Sequence, residues 1–376
     1  MAPVFNAIGL ISGTSADGID GVLVQTDGLT PPKVLAAKEY PYPAEIRARI
    51  LALYEPGISE IDRMGALDRD LGELFAQAAL GVCEAGNLKP KEVNVIGSHG
   101  QTIRHRPPLF TLQIGSPYLI SARTGITTVA DFRPADMVRG GEGAPLTPLF
   151  HQCLFGNKPG ERVIVANLGG IANLTRLADG AQRPVLAGDS GPANTGMDLL
   201  IQRLSDGAKT FDADGQGAAQ GNVLPEPLAW LMAHPYLQES FPKSTGREVF
   251  GESWLGEFLT AFPECNGVDG LATLTRFTVL SVADACETLT SGAPDRLVLC
   301  GGGAKNPELL RGLQNALPET TLENSAALGV DPDSLEAQAF AWFAVRTLQG
   351  LTSSLPEATG AEIPAVLGAI HPGQMA

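Results

Sequence analysis

Apolar positions in the first part of the chain form either short runs or stretches with helical spacing. The runs at 7–10 and 21–24 predict two strands, which flank the turn-rich stretch 12–18 and make a hairpin with a long glycine loop. Residues 44–54 predict a short helix, and a longer helix follows Ser59, a candidate N-cap. The buried face of this longer helix is predicted from apolar residues three or four positions apart: Ile61, Met64, Leu67, Leu71, Leu74, Phe75, Ala78 and Val82.

Two later apolar runs end in polar turns. Residues 93–97 predict a buried strand that ends at 98–102, and residues 127–131 predict another that ends at 132–136. Because ligands of α/β sheets bind at strand ends, the polar residues of both turns are candidates for a functional site.

The strand–glycine loop–strand pattern occurs again at 163–175 and loosely repeats the N-terminal hairpin. This weak duplication favours two related α/β lobes. A third glycine loop, 301–307, follows the apolar run 297–300 and precedes a helix. The last helix is predicted to open with Asp331 as N-cap and Pro332 at its first position, and to stop at Gly350.

Length and composition indicate a globular protein of two domains, because the chain has 376 residues and is 44% hydrophobic. We expect one domain at 1–138, to which the C-terminal helix returns, and a second at 139–376, with the glycine-rich stretch 139–145 at their junction.

A net charge of −15 without a run of Lys or Arg argues against nucleic acid as a partner. No run reaches about 18 apolar residues, so no membrane partner is expected. Five scattered cysteines indicate neither a disulfide framework nor a zinc site, and fit a reducing cytoplasm.

Three glycine loops after three apolar strands point to an anion such as a nucleotide phosphate. Glycine allows backbone N–H groups to wrap an anion without a Cβ clash. The P-loop and dinucleotide patterns are both absent from the sequence, so a structural turn remains the alternative for each loop taken alone. Beside the first loop, the hydroxyls at 14–15 could bond phosphate and Asp17 could hold hydrated Mg²⁺, unless Asp17 simply forms the turn.

Several charged residues are candidates for chemistry. Asp189 lies between Gly188 and Gly191 in a predicted loop after a possible strand, where it could act as a general base or could merely cap the helix near 194–204. Arg133, between Asp131 and Asp136, could grip a carboxylate or phosphate or belong to a structural ion pair. His99 and Glu336 are further candidates, each with a structural alternative. His99 could simply be a hydrogen-bonded structural histidine. Glu336 could be a carboxylate favoured by the dipole of the last helix.

At these motifs the sequence resembles the anhydro-N-acetylmuramic acid kinase family. The matching blocks run in order along almost the whole chain and together are highly specific. They lie at 9–20 (GLISGTSADGID), 97–105 (GSHGQTIRH), 129–133 (VADFR), 140–146 (GGEGAPL), 167–173 (NLGGIAN), 188–194 (GDSGPAN), 243–247 (KSTGR), 300–306 (CGGGAKN), 335–342 (LEAQAFAW) and 367–370 (LGAI).

The resemblance implies a fold and a nucleotide site. The fold would be α/β, with two actin-like (ribonuclease H-like) lobes and an ATP cleft between them. The residues that would contact ATP are Gly13, Thr14, Ser15, Ala16, Asp17, Gly18, Ile19 and Asp20 in the first phosphate loop, Gly169 and Gly170 in the second, and Gly301, Gly302, Gly303 and Asn306 on the adenosine side. Asp17 would be the ligand of Mg²⁺.

The resemblance also implies an activity. Water activated by Asp189 would open the 1,6-anhydro ring of the sugar, and O6 would take the γ-phosphate of MgATP, giving N-acetylmuramate 6-phosphate and ADP. His99, Arg133 and Glu336 would contact the sugar and its lactyl carboxylate. The enzyme would be a cytoplasmic homodimer in peptidoglycan recycling, with a small-molecule sugar as its substrate.

Four positions depart from the family pattern: Ala16, Glu142, Ser190 and Ala193. These small changes leave Asp17 and Asp189 intact, so they concern substrate tuning and not the reaction class. Two other functions remain open at this point. One is a kinase of the same fold for a different sugar or small acid, and the other is a non-catalytic nucleotide sensor, against which the intact Asp189 argues.

Overall fold

The computed structural model describes residues 3–156, 158–180 and 183–373. Within them the polypeptide alternates between strands and helices. In chain order the strands are β1 (Phe5–Ser12), β2 (Gly18–Thr26), β3 (Lys33–Pro41), β4 (Val95–Arg106), β5 (Phe110–Ile114), β6 (Thr128–Ala130), β7 (Val163–Leu168), β8 (Ile171–Arg176), β9 (Leu186–Pro192), β10 (Arg296–Cys300), β11 (Thr321–Asn324) and β12 (Ala369–His371).

The α-helices of these residues range from single turns to helices of more than twenty residues. In chain order they are α1 (Ala44–Tyr54), α2 (Glu60–Ala85), α3 (Pro117–Thr124), α4 (Pro134–Met137), α5 (Pro148–Phe155), α6 (Thr195–Leu204), α7 (Gln216–Gln220), α8 (Pro225–Met232), α9 (Glu252–Ala261), α10 (Val268–Thr290), α11 (Pro307–Ala316), α12 (Leu335–Leu348) and α13 (Pro356–Thr359).

The chain divides into two compact units, Met1–Phe155 with Asp333–Ala376, and Gly156–Pro332. The expected boundary at residue 138 is therefore too early. Residues 139–155 belong to the first unit because Phe150 of α5 is fully buried and lies against Trp342 of α12, with ring centroids 5.6 Å apart. The predicted C-terminal helix, α12, belongs to the first unit as expected.

The first unit is built on a mixed sheet in the order β12-β6-β4-β1-β2-β3, with β5 paired to β4. Strands β1, β2 and β3 form an antiparallel meander, whereas β4 lies parallel to β1 and β6 parallel to β4. Helix α2 packs its predicted apolar stripe against this sheet, with Met64 and Leu74 partly buried, but Ile61 at its first turn is 80% exposed. Ser59 precedes α2 as expected, but it has φ 52° and makes no side-chain cap.

The sheet of the second unit has the order β11-β10-β7-β8-β9. Here too an antiparallel meander, β7-β8-β9, is followed by β10 parallel to β7 and β11 parallel to β10. Five strands of the first sheet, β6-β4-β1-β2-β3, thus correspond in order and direction to the five strands of the second, so the weak repeat in the sequence is a real structural duplication. Each unit has the α/β organisation expected of an actin-like lobe.

Helix α12 packs directly on the first sheet because two adjacent glycines leave room for it. Gly9 of β1 and Gly97 of β4 are register partners. A Cβ at Gly9 would lie 1.8 Å from the Ala337 carbonyl oxygen, and one at Gly97 would lie 2.1 Å from that of Phe340. The glycines therefore set how closely helix and sheet approach.

Two predicted element boundaries are wrong. Strand β4 does not end at residue 98 but continues to Arg106, because β5 pairs with its second half. His99 consequently lies inside a strand. Helix α12 begins at Leu335 and not at Pro332, since residues 332–334 form a turn before it, while Gly350 with φ 68° follows its end as expected. Among the described residues, no helix is both long and apolar enough to span a membrane.

Candidate active site

The Asp189 side chain is buried in β9 and its carboxylate is held by three donors. Asn173, directly opposite on β8, donates to Oδ1 through its amide nitrogen. The Thr245 backbone N–H donates to Oδ2 over 2.9 Å, and the Ser244 hydroxyl donates to the same oxygen over 3.3 Å. The alternatives of a loop position and a helix cap are therefore wrong: Asp189 is a strand residue, and Asn194 is the residue that precedes α6.

Burial and hydrogen bonding act in opposite directions on this carboxyl group. Asp189 is 7% exposed, and desolvation raises its pKa above the ordinary value, while the bonds from Thr245, Asn173 and Ser244 lower it. The net pKa is raised. A carboxylate that is fixed in place and more basic than usual suits a group that takes up a proton.

The second glycine loop, between β7 and β8, is fastened to the start of α6. The carbonyl oxygen of Gly170 accepts bonds from the backbone N–H of Ala193 (2.8 Å) and from the Thr195 hydroxyl (2.8 Å). That of Gly169 accepts from the Asn194 side chain at 2.7 Å. These hydrogen bonds fix the carbonyl groups of both glycines against the start of α6.

The third glycine loop lies against the second. Gly301 has φ 77°, and a Cβ there would come within 2.3 Å of the Asn167 side chain; a Cβ at Gly303 would come within 2.7 Å of Leu168. These two glycines are needed by the fold itself. Gly302 is different, because apart from its own chain neighbours no heavy atom of the described residues lies within 4 Å of where its Cβ would be, and its φ does not demand glycine. Asn306 then caps α11 by accepting the Glu308 backbone N–H over 3.0 Å.

A cavity of about 200 Å³ lies beside α11, the helix that follows this loop, within the second unit. Its lining includes the apolar side chains of Val223 and Val279 and the charged side chains of Arg276, Glu308 and Arg311. Glu308 belongs to the first turn of α11, whose first residue, Pro307, directly follows Asn306. A planar group with hydrogen-bonding edges would fit such a mixed lining.

In the first unit, Gln101 fastens the first glycine loop. Its side-chain amide donates to the Gly13 carbonyl oxygen over 3.0 Å, while its Oε1 accepts the Ser12 hydroxyl over 2.6 Å. The Tyr54 hydroxyl donates to the Thr14 carbonyl oxygen over 3.0 Å. The loop itself spans residues 13–17, because Gly18, Ile19 and Asp20 already belong to β2 and Ile19 is buried in the core.

Asp17 lies at the surface and forms an ion pair with Arg47, with 3.2 Å between Oδ1 and Nε. No group of three or more potential metal-ligating His, Cys, Asp or Glu residues occurs in the described part of the chain. Mg²⁺ usually keeps several waters and takes only one or two protein carboxylates beside the phosphates of its nucleotide. An exposed carboxylate next to a glycine loop fits that mode of binding, although Arg47 would have to release it.

Arg133 is the centre of a second polar group in the first unit. Its Nε donates to His99 Nε2 over 3.0 Å, and its Nη1 donates to the Gly143 carbonyl oxygen over 2.8 Å. His99 Nδ1 lies 3.2 Å from the Gly100 carbonyl oxygen, so this network assigns the ring proton to Nδ1. Burial, and then the Arg133 charge, hold the pKa of His99 well below its ordinary value.

The guanidinium group of Arg133 stays charged at neutral pH. Burial lowers its pKa to about 10, and the nearby Glu336 carboxylate opposes this. Glu336 is exposed in the first turn of α12. The structure therefore brings His99, Arg133 and Glu336 together, with both ring nitrogens of His99 engaged inside the protein.

The two aspartates near Arg133 differ in environment. Asp136 is fully buried and accepts the Gly143 backbone N–H (2.9 Å) and the Thr359 hydroxyl (2.8 Å). It shapes the loop whose carbonyl oxygen binds Arg133. Asp131 is exposed and has φ 55°. Of the two aspartates proposed to accompany Arg133, Asp136 therefore orders the neighbouring loop, whereas Asp131 is exposed.

Sequence reasoning assigned no role to Asn173, Ser244, Thr245 or Gln101, which hold the key groups in place. All four fall inside the blocks by which the family resemblance was found, at 97–105, 167–173 and 243–247. Only the pairing of distant segments shows what they do, and no local pattern contains that information.

Comparisons with known proteins were made for the whole chain. The family model described as "Anhydro-N-acetylmuramic acid kinase" matches residues 5–373. An anhydro-N-acetylmuramic acid kinase of Shewanella amazonensis is 46% identical over 97% of this chain and 98% of its own length. One of Shewanella woodyi is 44% identical over 97% of this chain and 98% of its own length.

Two solved structures align over most of the chain at low identity. Component A of (R)-2-hydroxyglutaryl-CoA dehydratase from Acidaminococcus fermentans is 12% identical with a TM-score of 0.46, covering 92% of this chain and 99% of its own. A ROK family glucokinase from Streptomyces griseus, in complex with glucose and AMPPNP, is 14% identical with a TM-score of 0.42, covering 90% and 99%. The family match and the two relatives decide the assignment: this chain belongs to the anhydro-N-acetylmuramic acid kinase family, and it is a phosphotransferase.

Proposed function

We propose that this protein uses ATP and water to convert 1,6-anhydro-N-acetylmuramic acid into N-acetylmuramate 6-phosphate and ADP, in the recycling of peptidoglycan. The names of the relatives indicate the sugar. The observation that carries the chemistry is the Asp189 carboxylate, which is buried, held by three donors and more basic than an ordinary aspartate. Those are the properties of a general base.

In the proposed reaction Asp189 takes a proton from a water molecule as the water oxygen bonds to C1 of the sugar. The C1–O6 bond breaks, and O6 keeps the electron pair and bonds to the γ-phosphorus of ATP. The bond from that phosphorus to the bridging oxygen breaks, and ADP leaves. Asp189 then returns its proton to solvent. Its placement supplies proton transfer, and preorganised donors supply the charge stabilisation that phosphoryl transfer needs.

We propose that the glycine loops bind the nucleotide through their backbone amides. The contacts in the first unit would come from residues 13–20, mainly through the loop 13–17. Those in the second unit would come from Gly169, Gly170, the glycines at 301–303 and Asn306. The open space around Gly302 supports this role, because neither packing nor backbone conformation explains a glycine there. Asp17 would hold hydrated Mg²⁺, which neutralises phosphate charge when bound.

Arg133 is the residue we propose for the lactyl carboxylate of the sugar, since a guanidinium fork binds carboxylates well. Its fixed orientation supports this. His99, with both nitrogens engaged, would act by holding Arg133, and Glu336 would accept a sugar hydroxyl. We also propose a cytoplasmic homodimer, which rests on the family alone.

The proposal is tested by incubating the protein with the anhydro sugar, ATP and Mg²⁺ in H₂¹⁸O, with early quenching and mass analysis. We expect one phosphate and one ¹⁸O at C1 in the product. Asp189→Asn should lower kcat by roughly 100- to 10,000-fold, because a general base contributes that much. Full activity of the variant would exclude Asp189 as the base. Turnover of other sugars only would favour a kinase of the same fold with a different substrate.

We propose that the 200 Å³ cavity beside α11 takes the adenine base, which combines apolar faces with polar edges as this lining does. Arg276→Ala should then raise the KM for ATP roughly 10-fold, the usual order for one stacked or hydrogen-bonded cation, and leave kcat and the KM for the sugar unchanged. Steady-state kinetics with each substrate varied in turn measure this. Unchanged affinity for ATP would place the base elsewhere.

A further inference from the structure

The carboxylate of Asp189 accepts hydrogen bonds from a segment that belongs to no helix or strand. Three consecutive residues, 243–245, all contact Asp189. The backbone carbonyl oxygen of Lys243 accepts the Asp189 backbone N–H over 2.9 Å. The Ser244 hydroxyl and the Thr245 backbone N–H both donate to Oδ2 of Asp189. Among the described residues β9 is an edge strand of its sheet, so this segment covers the side of β9 on which no other strand is paired. Something else must keep it in place.

The side chain of Lys243 provides that attachment. Its ammonium group donates to the carbonyl oxygens of Tyr236 (2.9 Å) and Leu237 (3.2 Å). The same group lies over the rings of Tyr236 and Phe241, 4.6 and 5.2 Å from their centroids. One cation thus joins two carbonyl groups and two aromatic faces, which gives the segment a single well-defined position.

Tyr236 connects Lys243 to the backbone of Asp189. Its hydroxyl donates to the Asp189 carbonyl oxygen over 2.9 Å, while its own carbonyl oxygen binds Lys243. The fit is close, since a Cβ on Gly188 would lie 2.6 Å from the Phe241 ring and 2.8 Å from the Lys243 carbonyl oxygen. Any displacement of Lys243 is therefore passed on to the donors of Asp189.

We propose that Lys243 is a positioning residue for the reaction: its ammonium group sets the place of the 243–245 segment, and thereby the two bonds from Ser244 and Thr245 to the Asp189 carboxylate. The inference rests on the proposed role of Asp189 as the base. Lys243 itself touches neither the sugar nor the nucleotide in this assignment. Without the ammonium group, the ionised carboxylate would lose two donors and become a poorly aligned, more basic group that ionises at higher pH.

The test measures kcat as a function of pH, at saturating substrates, for the wild type, Lys243→Met and Lys243→Arg. Lys243→Met should lower kcat roughly 10- to 100-fold, as misplacement of a reacting group does, and should move the acid limb of the profile to higher pH. Lys243→Arg keeps the charge and the donors and should restore most of the acid limb. The KM for ATP should stay unchanged.

Lys38→Met is the matched control, because Lys38 also lies over a tyrosine ring, that of Tyr40 at 5.3 Å, but in the first unit. Its profile should equal that of the wild type. Should Lys243→Met fail to fold, Lys243→Gln keeps an amide NH₂ donor group without the positive charge and should show an intermediate shift. If the acid limb of Lys243→Met, or of Lys243→Gln where Lys243→Met does not fold, coincides with the wild-type limb, the proposal is overturned. Full activity of Asp189→Asn would instead remove the base itself, so the two failures are distinguishable.

Discussion

At the scale of single residues, the chemistry depends on the balance between burial and hydrogen bonding at Asp189. Burial favours the protonated carboxyl, whereas each donor favours the carboxylate. Asn173 is the donor whose position depends on the sheet alone, because it lies opposite Asp189 in the β8–β9 pair. The strand register therefore contributes directly to the pKa of the proposed base.

Asn173→Ala should move the acid limb of the pH–kcat profile to higher pH. A base works only when ionised, so activity falls as the pH drops through its pKa, and loss of a donor to the carboxylate raises that pKa. We expect kcat to fall about 10-fold or more as well, because a hydrogen bond to a charged group is worth about 1.5–3 kcal/mol. The measurement is kcat against pH in buffers of constant ionic strength.

Asn266→Ala provides the control for that measurement, since Asn266 is an exposed asparagine of the same unit that follows a turn far along the chain from Asp189. Its profile should be indistinguishable from that of the wild type. A shift of the acid limb to lower pH in Asn173→Ala would contradict the argument, because it would mean that Asn173 stabilises the protonated form.

At the scale of elements, the contact between α12 and the first sheet requires glycine. Gly9→Ala would place a methyl group 1.8 Å from the Ala337 carbonyl oxygen and 2.8 Å from the Ala341 nitrogen, both backbone atoms of α12. Backbone atoms cannot turn aside as a flexible side chain can. We expect a loss of about 3 kcal/mol in the free energy of unfolding, the upper range for overpacking.

Gly65→Ala should change stability in the opposite direction. Gly65 is exposed in α2, and beyond the helix's own nearby backbone no heavy atom of the described residues lies within 4 Å of the position of an added Cβ. Alanine in a helix interior is better than glycine by roughly 0.5–1 kcal/mol, so the variant should be slightly more stable. Urea unfolding followed by circular dichroism compares both variants with the wild type. Equal effects of the two substitutions would mean that α12 can move away from the sheet.

Local patterns predicted the elements where sequence neighbours decide the structure. The glycine hairpins and α1 are of this kind, since their turns and periodicity lie within a short window. Predictions were wrong where a distant partner decides. β4 runs on because β5 pairs with it, and Asp189 lies in a strand although its neighbours are glycine and serine, because β8 supplies the pairing. No property of the stretch 188–191 alone favours a strand.

The same limit applies to the site. Resemblance to a family indicated Asp189, Arg133 and the glycine loops, but not the donors that hold them. Gln101 reaches Gly13 across 88 positions and Thr245 reaches Asp189 across 56. Such pairs leave no periodic trace in one sequence. The domain boundary also depends on residues far apart in the sequence, because the contact of Phe150 with Trp342 brings residues 139–155 into the first unit.

At the scale of the whole molecule, charge is the property that bears on function. The protein carries a net charge of −15, and both proposed substrates, MgATP and the lactyl-bearing sugar, are anions. Arg133 and the backbone amides of the glycine loops attract them only at short range. At long range the field of the molecule repels them, and this repulsion is removed by salt once the Debye length falls from about 30 Å at 0.01 M to about 10 Å at 0.1 M.

We therefore expect kcat/KM for MgATP to rise a few-fold, roughly 2- to 5-fold, between 10 and 150 mM salt, at fixed saturating Mg²⁺. The anhydro sugar that lacks the lactyl carboxylate is the control, since its own kcat/KM should hardly change with salt while that of the lactyl-bearing sugar rises. Most charged binding sites behave in the opposite way, because local positive charge attracts the ligand. A fall in kcat/KM with salt would thus show that Arg47 and Arg133 dominate the field over the negative remainder of the protein.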